Sequence, residues 1–91
     1  MSFFVYIIQS QMDGTFYKGF TTNIERRLEE HNSGESRYTA KKMPWDLVYL
    51  QKMTSKKEAL IREKQIKHFN SNYLKLLIEN YNNNNNNNRL E

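Results

Sequence analysis

Residues 3–20, FFVYIIQSQMDGTFYKGF, decide the fold of this chain. The run 3–8 is rich in β-branched and aromatic residues and is apolar on both alternating faces, a pattern typical of a central strand that is covered on both sides. Asp13-Gly14 can supply the positive φ angles of a tight hairpin turn. Residues 15–20 then predict a second, antiparallel strand, so the chain begins with a β-hairpin.

The hairpin also predicts which side chains share a face of the sheet. Side chains alternate between the two faces of a strand, so a two-residue turn at Asp13-Gly14 fixes how the strands pair. On that register one face carries two tyrosines and a glycine, in the set Tyr6, Ile8, Ser10, Tyr17 and Gly19. Two interpretations of the tyrosines stay open: core packing with the hydroxyls turned toward water, or a functional role for the hydroxyls.

The middle of the chain predicts a helix, a loop and a third strand. Asn23 is a good N-cap, and the pattern over 24–31 is helical. Residues 35–44 predict a polar, basic loop. Residues 45–53 predict a strand, because an apolar run lies at their centre.

Two further helices follow the third strand. Ser55-Lys56-Lys57-Glu58 fits a capping box and begins a helix that runs to about His68. Asn70 or Ser71 caps the last helix, which has an apolar stripe of Leu74, Leu77, Ile78 and Tyr81. The order β-β-α-β-α-α predicts an α+β fold, with a three-stranded antiparallel sheet flanked by three helices.

Length and composition limit the chain to one small domain. A chain of 91 residues has a modest core, and we expect the domain to comprise residues 1–81. Residues 82–91 begin with seven asparagines that have no apolar face to bury, which predicts a disordered tail, and the last two residues are a candidate cloning scar. The absence of cysteine excludes disulfides, thiolate-bound zinc and thiol nucleophiles. The apolar run 3–8 is too short to span a bilayer, so a soluble, cytoplasmic protein is expected.

The net charge of +4 is unevenly distributed. Residues 1–40 contain four Lys or Arg against five acidic residues, whereas residues 41–91 contain ten against five. A basic half is the usual footprint of a surface that binds a polyanion such as nucleic acid. Simple solubility is the alternative explanation.

Polar residues occupy the apolar face of the first predicted helix. At about 100° per residue, Arg27 and His31 fall on the inward half together with Ile24 and Leu28. Arg26 falls on the opposite side and is expected in solvent. Two adjacent arginines therefore have different predicted environments.

Glu63 lies inside the apolar stripe of the second predicted helix, between Ala59 and Ile66. A buried, unpaired carboxylate costs several kcal/mol or takes up a proton, so Glu63 needs a cation or a water-filled cleft. Two cations could serve, Arg27 or a metal ion. A structural Glu63–Arg27 ion pair is the alternative to a functional site.

These residues together resemble the GIY-YIG nuclease family. Val5-Tyr6-Ile7 stands where the family has its first tripeptide, and Tyr17-Lys18-Gly19 stands where it has the second. The resemblance covers residues 3 to about 80. It looks closest to small single-domain bacterial members, relatives of the catalytic domain of the excinuclease C subunit.

The two helices carry the rest of the resemblance. Arg27 matches the family's arginine, and His31-Asn32-Ser33-Gly34 is similar to the end of that helix in many members. Residues 59–67 are similar to the segment that carries the metal-binding glutamate, which is Glu63 in this chain.

The resemblance implies a metal-dependent endonuclease that hydrolyses nucleic-acid phosphodiester bonds, with DNA as the expected substrate and repair or recombination as the setting. Glu63 would hold Mg²⁺ or Mn²⁺, and Arg27 would stabilise charge on the phosphoryl oxygens. Tyr17, or else Tyr6, would activate or position the attacking water, with His31 as the competing base. The side chains expected to hold the nucleic-acid backbone are Lys41, Lys42, Lys56, Arg62, Lys64 and Lys67.

Two aromatic residues and two other functions remain to be weighed. Tyr38 could stack on an exposed base, whereas Trp45 is expected in the core. A catalytically inactive nucleic-acid-binding module of the same fold would bind without magnesium, with Glu63 and Arg27 as a buried ion pair. A subunit that docks an acidic protein would bind even at high salt. No second domain is expected, so either specificity is low or a partner protein supplies it.

Overall fold

One antiparallel sheet organises the structure, a computed structural model that describes residues 2–90, with side chains as far as residue 83. Its strands are β1 (Phe3–Ser10), β2 (Phe16–Thr21) and β3 (Trp45–Met53), in the order β2-β1-β3. The most apolar strand is therefore the central one, as the sequence predicts. The helices are α1 (Ile24–Asn32), α2 (Arg37–Ala40), α3 (Lys56–Lys67) and α4 (Ser71–Leu90). This is the predicted α+β arrangement with one additional short helix.

The hairpin has the predicted faces but a longer turn. Tyr6 lies opposite Gly19 and Ile8 opposite Tyr17, and the Ser10 N–H donates to the Thr15 carbonyl at 2.9 Å. The connection therefore spans residues 11–14, and the predicted two-residue turn is wrong. Side chains alternate with a period of two, so this two-residue shift in register leaves every side chain on its predicted face.

The sheet is covered on both faces, and the two coverings differ. Helices α3 and α4 pack on one face, where the buried cluster consists of Val5, Ile7, Tyr49, Ala59, Ile66 and Leu74. Helix α1 covers the other face, where Ile24 and Leu28 pack against the buried residues Tyr6, Ile8 and Trp45. The face with the tyrosines is therefore the one that α1 covers.

Capping side chains set the beginnings of two helices as predicted. The Asn23 side chain accepts from the Arg26 backbone N–H at 3.1 Å, and the Ser55 hydroxyl accepts from the Glu58 N–H at 3.1 Å. The capping box is only half formed, because the Glu58 carboxylate accepts from the Thr54 hydroxyl at 3.1 Å. These local hydrogen bonds fix where α1 and α3 begin, and hence which of their residues face the sheet.

Helix α2 lies within the segment that the sequence predicts as a loop. The Ala40 N–H donates to the Ser36 carbonyl at 2.9 Å, which closes a single helical turn. Thr39 is completely buried, and its carbonyl accepts from the Trp45 indole N–H at 2.9 Å. A one-turn helix is too short to show an apolar period in the sequence. The tertiary contact with Trp45 holds α2 in place, and the sequence does not reveal this contact.

Helix α4 extends through residues for which the sequence predicts a disordered tail. Its backbone remains helical as far as Leu90, and Glu91 lies outside the described residues. Continuing an existing helix adds one hydrogen bond per residue without a new nucleation step, so even polar residues can follow a formed helix. A domain boundary at residue 81 stays a prediction. Within residues 2–90, no helix is both long enough and apolar enough to cross a bilayer.

Candidate active site

A buried chain of hydrogen bonds joins four elements on the α1 side of the sheet. The Tyr6 hydroxyl of β1 lies 2.9 Å from His31 Nε2 of α1. His31 Nδ1 lies 2.8 Å from the hydroxyl of Thr39 in α2, whose carbonyl is bound by Trp45 of β3. The predicted inward position of His31 is confirmed, and its ring is fully buried.

The hydrogen-bond pattern favours one tautomer of His31. The Thr39 hydroxyl donates to the Ser36 carbonyl at 3.4 Å, so it is free to accept from the imidazole. Nδ1 then carries the ring proton, and Nε2 accepts from the Tyr6 hydroxyl. The lone pairs of the Tyr6 oxygen are therefore left facing away from His31.

Burial shifts the titration of both partners so that neither is charged at neutral pH. It raises the pKa of Tyr6 to about 12, with Tyr17 and Glu63 adding to the rise and the Arg27 guanidinium opposing it. Burial, together with the charge of Arg27, lowers the pKa of His31 to about 4. His31 is thus a neutral, buried acceptor that holds Tyr6, and its role as a base stays a prediction.

Protonation of His31 should destabilise the fold. The pKa of His31 is lower in the folded chain than in the unfolded chain, so the folded state favours the neutral imidazole. The stability that neutral His31 contributes is therefore fully present above about pH 6.5 and is lost as the pH falls toward 4. We expect the free energy of unfolding to fall by about 2–3 kcal/mol over this range. Urea unfolding between pH 4 and 8 measures the change.

The second histidine provides the control for this measurement. His68 is exposed at the end of α3, so His68→Gln should keep the pH dependence of the free energy of unfolding. His31→Gln should flatten the dependence, whatever its effect on stability at pH 8. An unchanged pH profile in His31→Gln would show that other groups cause it.

Gly19 makes room for Tyr6. A Cβ atom at Gly19 would lie 2.7 Å from the Tyr6 hydroxyl oxygen and 2.8 Å from the ring carbon that bears it. Real Cβ contacts are longer, so any other residue would push the Tyr6 phenol away from His31. Gly19, the glycine of the second tripeptide, is therefore required for the observed position of Tyr6, the tyrosine of the first.

Tyr17 is the tyrosine that borders open space. Its ring meets the His31 ring edge-on with centroids 5.1 Å apart, and the Tyr38 ring lies 5.8 Å away. The phenol is only partly buried and lines a hollow of about 300 Å³, whereas Tyr6 is fully enclosed. A water molecule or substrate can therefore reach Tyr17 directly.

Arg27 faces inward beside Tyr6 and His31, as the phase of α1 predicts. Its guanidinium lies 2.9 Å from a carboxylate oxygen of Glu30, and 32% of the side chain is exposed. Burial works against the charged form, but Glu30 and Tyr6 outweigh it and raise the pKa of Arg27. A permanently charged guanidinium therefore lies near Tyr6 and Tyr17.

Glu63 has a different partner from the one that the ion-pair alternative requires. Its carboxylate lies 3.8 Å from the Lys67 ammonium, one turn further along α3, and 17% of the Glu63 side chain is exposed. Arg27 pairs with Glu30 instead. The carboxylate is therefore neither in bulk solvent nor sealed against Arg27, although it acts electrostatically on Tyr6.

The donor chemistry at Glu63 fits a hard divalent cation. Within residues 2–90, no three His, Asp or Glu side chains gather to form a metal cage. Magnesium binds oxygen, keeps several of its waters and commonly uses one or two carboxylates plus substrate phosphate. Glu63 supplies such a carboxylate, and its present partner is a flexible lysine that is 54% exposed.

The structure divides the basic residues that the sequence assigns to backbone binding. The Lys42 ammonium forms an ion pair with the Asp13 carboxylate at 3.0 Å and donates a hydrogen bond to the Thr15 hydroxyl. Arg62 donates to Gln51 at 3.0 Å, and its guanidinium lies 5.9 Å from the centre of the Phe69 ring. The remaining four are exposed: Lys41, Lys56, Lys64 and Lys67.

Sequence reasoning missed two positioning residues. Asn32 accepts from the Trp45 N–H at 2.6 Å and donates to the Trp45 carbonyl at 3.1 Å, which ties the end of α1 to β3. Thr39 orients His31 from within the predicted loop. The one sequence signal for Asn32 is its place in the helix-ending segment His31-Asn32-Ser33-Gly34. No hydrophobic periodicity indicates that Thr39 is buried.

Comparison with known proteins supports the resemblance. The sequence matches the GIY-YIG catalytic domain over residues 2–88. A UPF0213 protein of Staphylococcus haemolyticus is 40% identical over 77 residues, which cover 84% of this chain and 93% of that protein. A UPF0213 protein of Natronomonas pharaonis is 45% identical over 65 residues, 70% and 75% of the two chains.

A solved structure shows the same fold. The solution NMR structure of a UPF0213 protein from Bacillus halodurans superposes with a TM-score of 0.57 at 35% identity. The match covers 87% of this chain and 84% of that one. The chain therefore belongs to the GIY-YIG catalytic domain family.

Proposed function

We propose that this chain is a divalent-metal-dependent endonuclease that hydrolyses nucleic-acid phosphodiester bonds, with DNA as the substrate. The observation that carries the proposal is the separation of Glu63 from Arg27. Arg27 pairs with Glu30 at 2.9 Å, and among the described residues the ion-pair partner of Glu63 is Lys67 at 3.8 Å, so the carboxylate and the guanidinium do not neutralise each other. A structural ion pair would not leave both groups available.

The side chains divide the work of hydrolysis. Mg²⁺ or Mn²⁺ held by Glu63 would supply Lewis-acid stabilisation of the scissile phosphate. Arg27 donates hydrogen bonds to the phosphoryl oxygens as negative charge develops on them. Tyr17 positions the attacking water from the open side of the site. Tyr6, fixed by His31, offers its oxygen lone pairs from the buried side.

The proposed roles of the two tyrosines follow from their different exposure and from the raised pKa of Tyr6. Burial raises the pKa of Tyr6 to about 12, so at neutral pH it acts by orienting a hydrogen-bonded group rather than by removing a proton. Tyr17 touches the hollow and can contact water directly. His31 is fully buried and acts as a positioning residue for Tyr6.

A substrate screen tests the proposed activity. Purified protein is incubated with single-stranded, nicked, flapped and duplex DNA in Mg²⁺, Mn²⁺ or EDTA, and the products are separated on denaturing gels. Cleavage with either metal and none with EDTA is the expected result. Binding in EDTA without cleavage of any substrate in either metal would instead identify an inactive nucleic-acid-binding module.

A further inference from the structure

Three neighbouring hollows in the surface beside the candidate site share lining residues, and together they are named the groove. The first, of about 500 Å³, and the second, of about 300 Å³, share Tyr38. The second and the third, of about 580 Å³, share Phe16 and Lys18. The groove therefore runs from α2, past Tyr17, to the junction of α3 and α4.

Basic and neutral side chains line these three hollows, and the acidic Glu79 lines a fourth hollow that shares Phe16 and Lys75 with the third. Its cationic residues are Lys18, Arg37, Lys41, Lys42, Lys67 and Lys75. No acidic residue among those described lines any of the three hollows, although Asp13 and Glu63 pair with Lys42 and Lys67 from outside. The other four cations make no ion pair with any described side chain. A groove of this charge fits a polyanionic chain.

Aromatic rings alternate with these cations. The Tyr38 side chain is 67% exposed, so it contributes little to the core of the domain. The centroid of its ring lies 5.8 Å from that of Tyr17. Phe16 follows toward the third hollow. Exposed rings spaced between cations are the pattern that binds unpaired nucleotides, because a base stacks on the ring while lysines hold the phosphates.

Stacking distinguishes a single strand from a duplex. In a duplex both faces of each base are covered by neighbouring base pairs, so a protein ring cannot stack on them without opening the helix. Tyr38 is the exposed ring of this row and can stack on a base only if the strand in the groove is unpaired, whereas Tyr17 also packs against His31 and Phe16 against the core. Lys18 belongs to this groove, although strand alternation predicts that it points away from Tyr17, because edge strand β2 lets both side chains border the same hollow.

We infer that the groove binds an unpaired nucleic-acid segment, with Tyr38 as a stacking platform and Lys18 and Lys75 as phosphate contacts on the far side of Tyr17. The inference rests on the proposed function, since it brings the strand past Tyr17 and Lys67, next to Glu63. It assigns binding to Lys18 and Lys75, and it leaves Lys56 and Lys64, which do not line the groove, without a role.

Binding in EDTA tests the groove separately from catalysis. Fluorescence anisotropy is measured with a labelled single-stranded DNA of about ten nucleotides and with a hairpin duplex of similar length. Tyr38→Ala should weaken single-strand binding by about 5- to 100-fold and duplex binding by less than about twofold. The double variant Lys18→Ala, Lys75→Ala should bind with a weaker dependence on salt. The slope of the logarithm of the binding constant against the logarithm of the salt concentration should become less steep by about 0.7 for each phosphate contact that is lost.

The control is the pair Lys52→Ala and Lys57→Ala, which removes two exposed charges from the same domain outside the groove. It should leave both affinity and salt slope for the single strand nearly unchanged. Equal losses from the two lysine pairs, or equal effects of Tyr38→Ala on single strand and duplex, would overturn the inference. Groove-dependent binding without cleavage in either Mg²⁺ or Mn²⁺ would refute only the proposed function. Cleavage that is unaffected by the groove variants would refute only the inference.

Discussion

Replacing Glu63 with glutamine is expected to reduce metal-dependent cleavage by about 1000-fold or more. Lewis-acid stabilisation by a bound metal ion contributes several kcal/mol, and each 1.36 kcal/mol corresponds to a factor of about ten in rate. Glutamine has nearly the same size as glutamate, so it keeps the packing of α3 and removes only the negative charge. The measurement is single-turnover cleavage of the best substrate over a range of Mg²⁺ concentrations.

Glu79→Gln is the matched control for this variant. Glu79 is an exposed carboxylate on α4, so its loss changes net charge by the same amount without touching the site. We expect its cleavage rate to stay within about twofold of the wild type, in keeping with the small effects of exposed substitutions. Native circular dichroism and near-normal cleavage in Glu63→Gln would refute the metal-binding role of Glu63.

The two adjacent arginines provide the second large effect. Arg27→Ala should lower the cleavage rate by about 100- to 1000-fold, the cost of removing one preorganised donor to a developing oxyanion. Arg26→Ala should leave the rate within about twofold, because 64% of the Arg26 side chain is exposed, twice the exposed fraction of Arg27. Initial rates at saturating substrate compare the two variants.

Glu30 makes this comparison well controlled. Its carboxylate lies 2.9 Å from Arg27 and 3.8 Å from Arg26, so each substitution removes one cation from the same acid. Arg27→Lys should fall between the two alanine variants, because lysine keeps the charge but loses the planar set of donors. Equal losses in Arg26→Ala and Arg27→Ala would indicate general attraction of the substrate by charge.

Much of the fold was predictable because its signals are local. The β3 segment 45–53 was predicted at its observed bounds, and the caps Asn23 and Ser55 gave the beginnings of α1 and α3. Each signal acts within one helical turn or one strand period, so it does not depend on the rest of the chain. The same locality explains the α2 error, since one turn of helix is held by a contact with Trp45 that lies outside it.

The candidate site was predictable as a set of residues but not as a set of partnerships. Helix phase identified Arg27, His31 and Glu63 as polar groups turned inward. Phase cannot say which acid an arginine will meet, because Glu30 and Glu63 lie in different helices and their distances depend on how those helices pack. The sequence likewise could not show that His31 holds Tyr6 through a buried network with Thr39.

The amino-acid order alone determined a central apolar strand, a hairpin whose tyrosines share one face, and helices that begin at their caps, because periodicity and capping are properties of neighbouring residues. Tertiary packing decided that Arg27 meets Glu30, that Gly19 accommodates the Tyr6 phenol, and that Lys18 and Lys75 line one groove. These outcomes depend on distances between residues far apart in the chain, and folding sets those distances only when the helices close over the sheet.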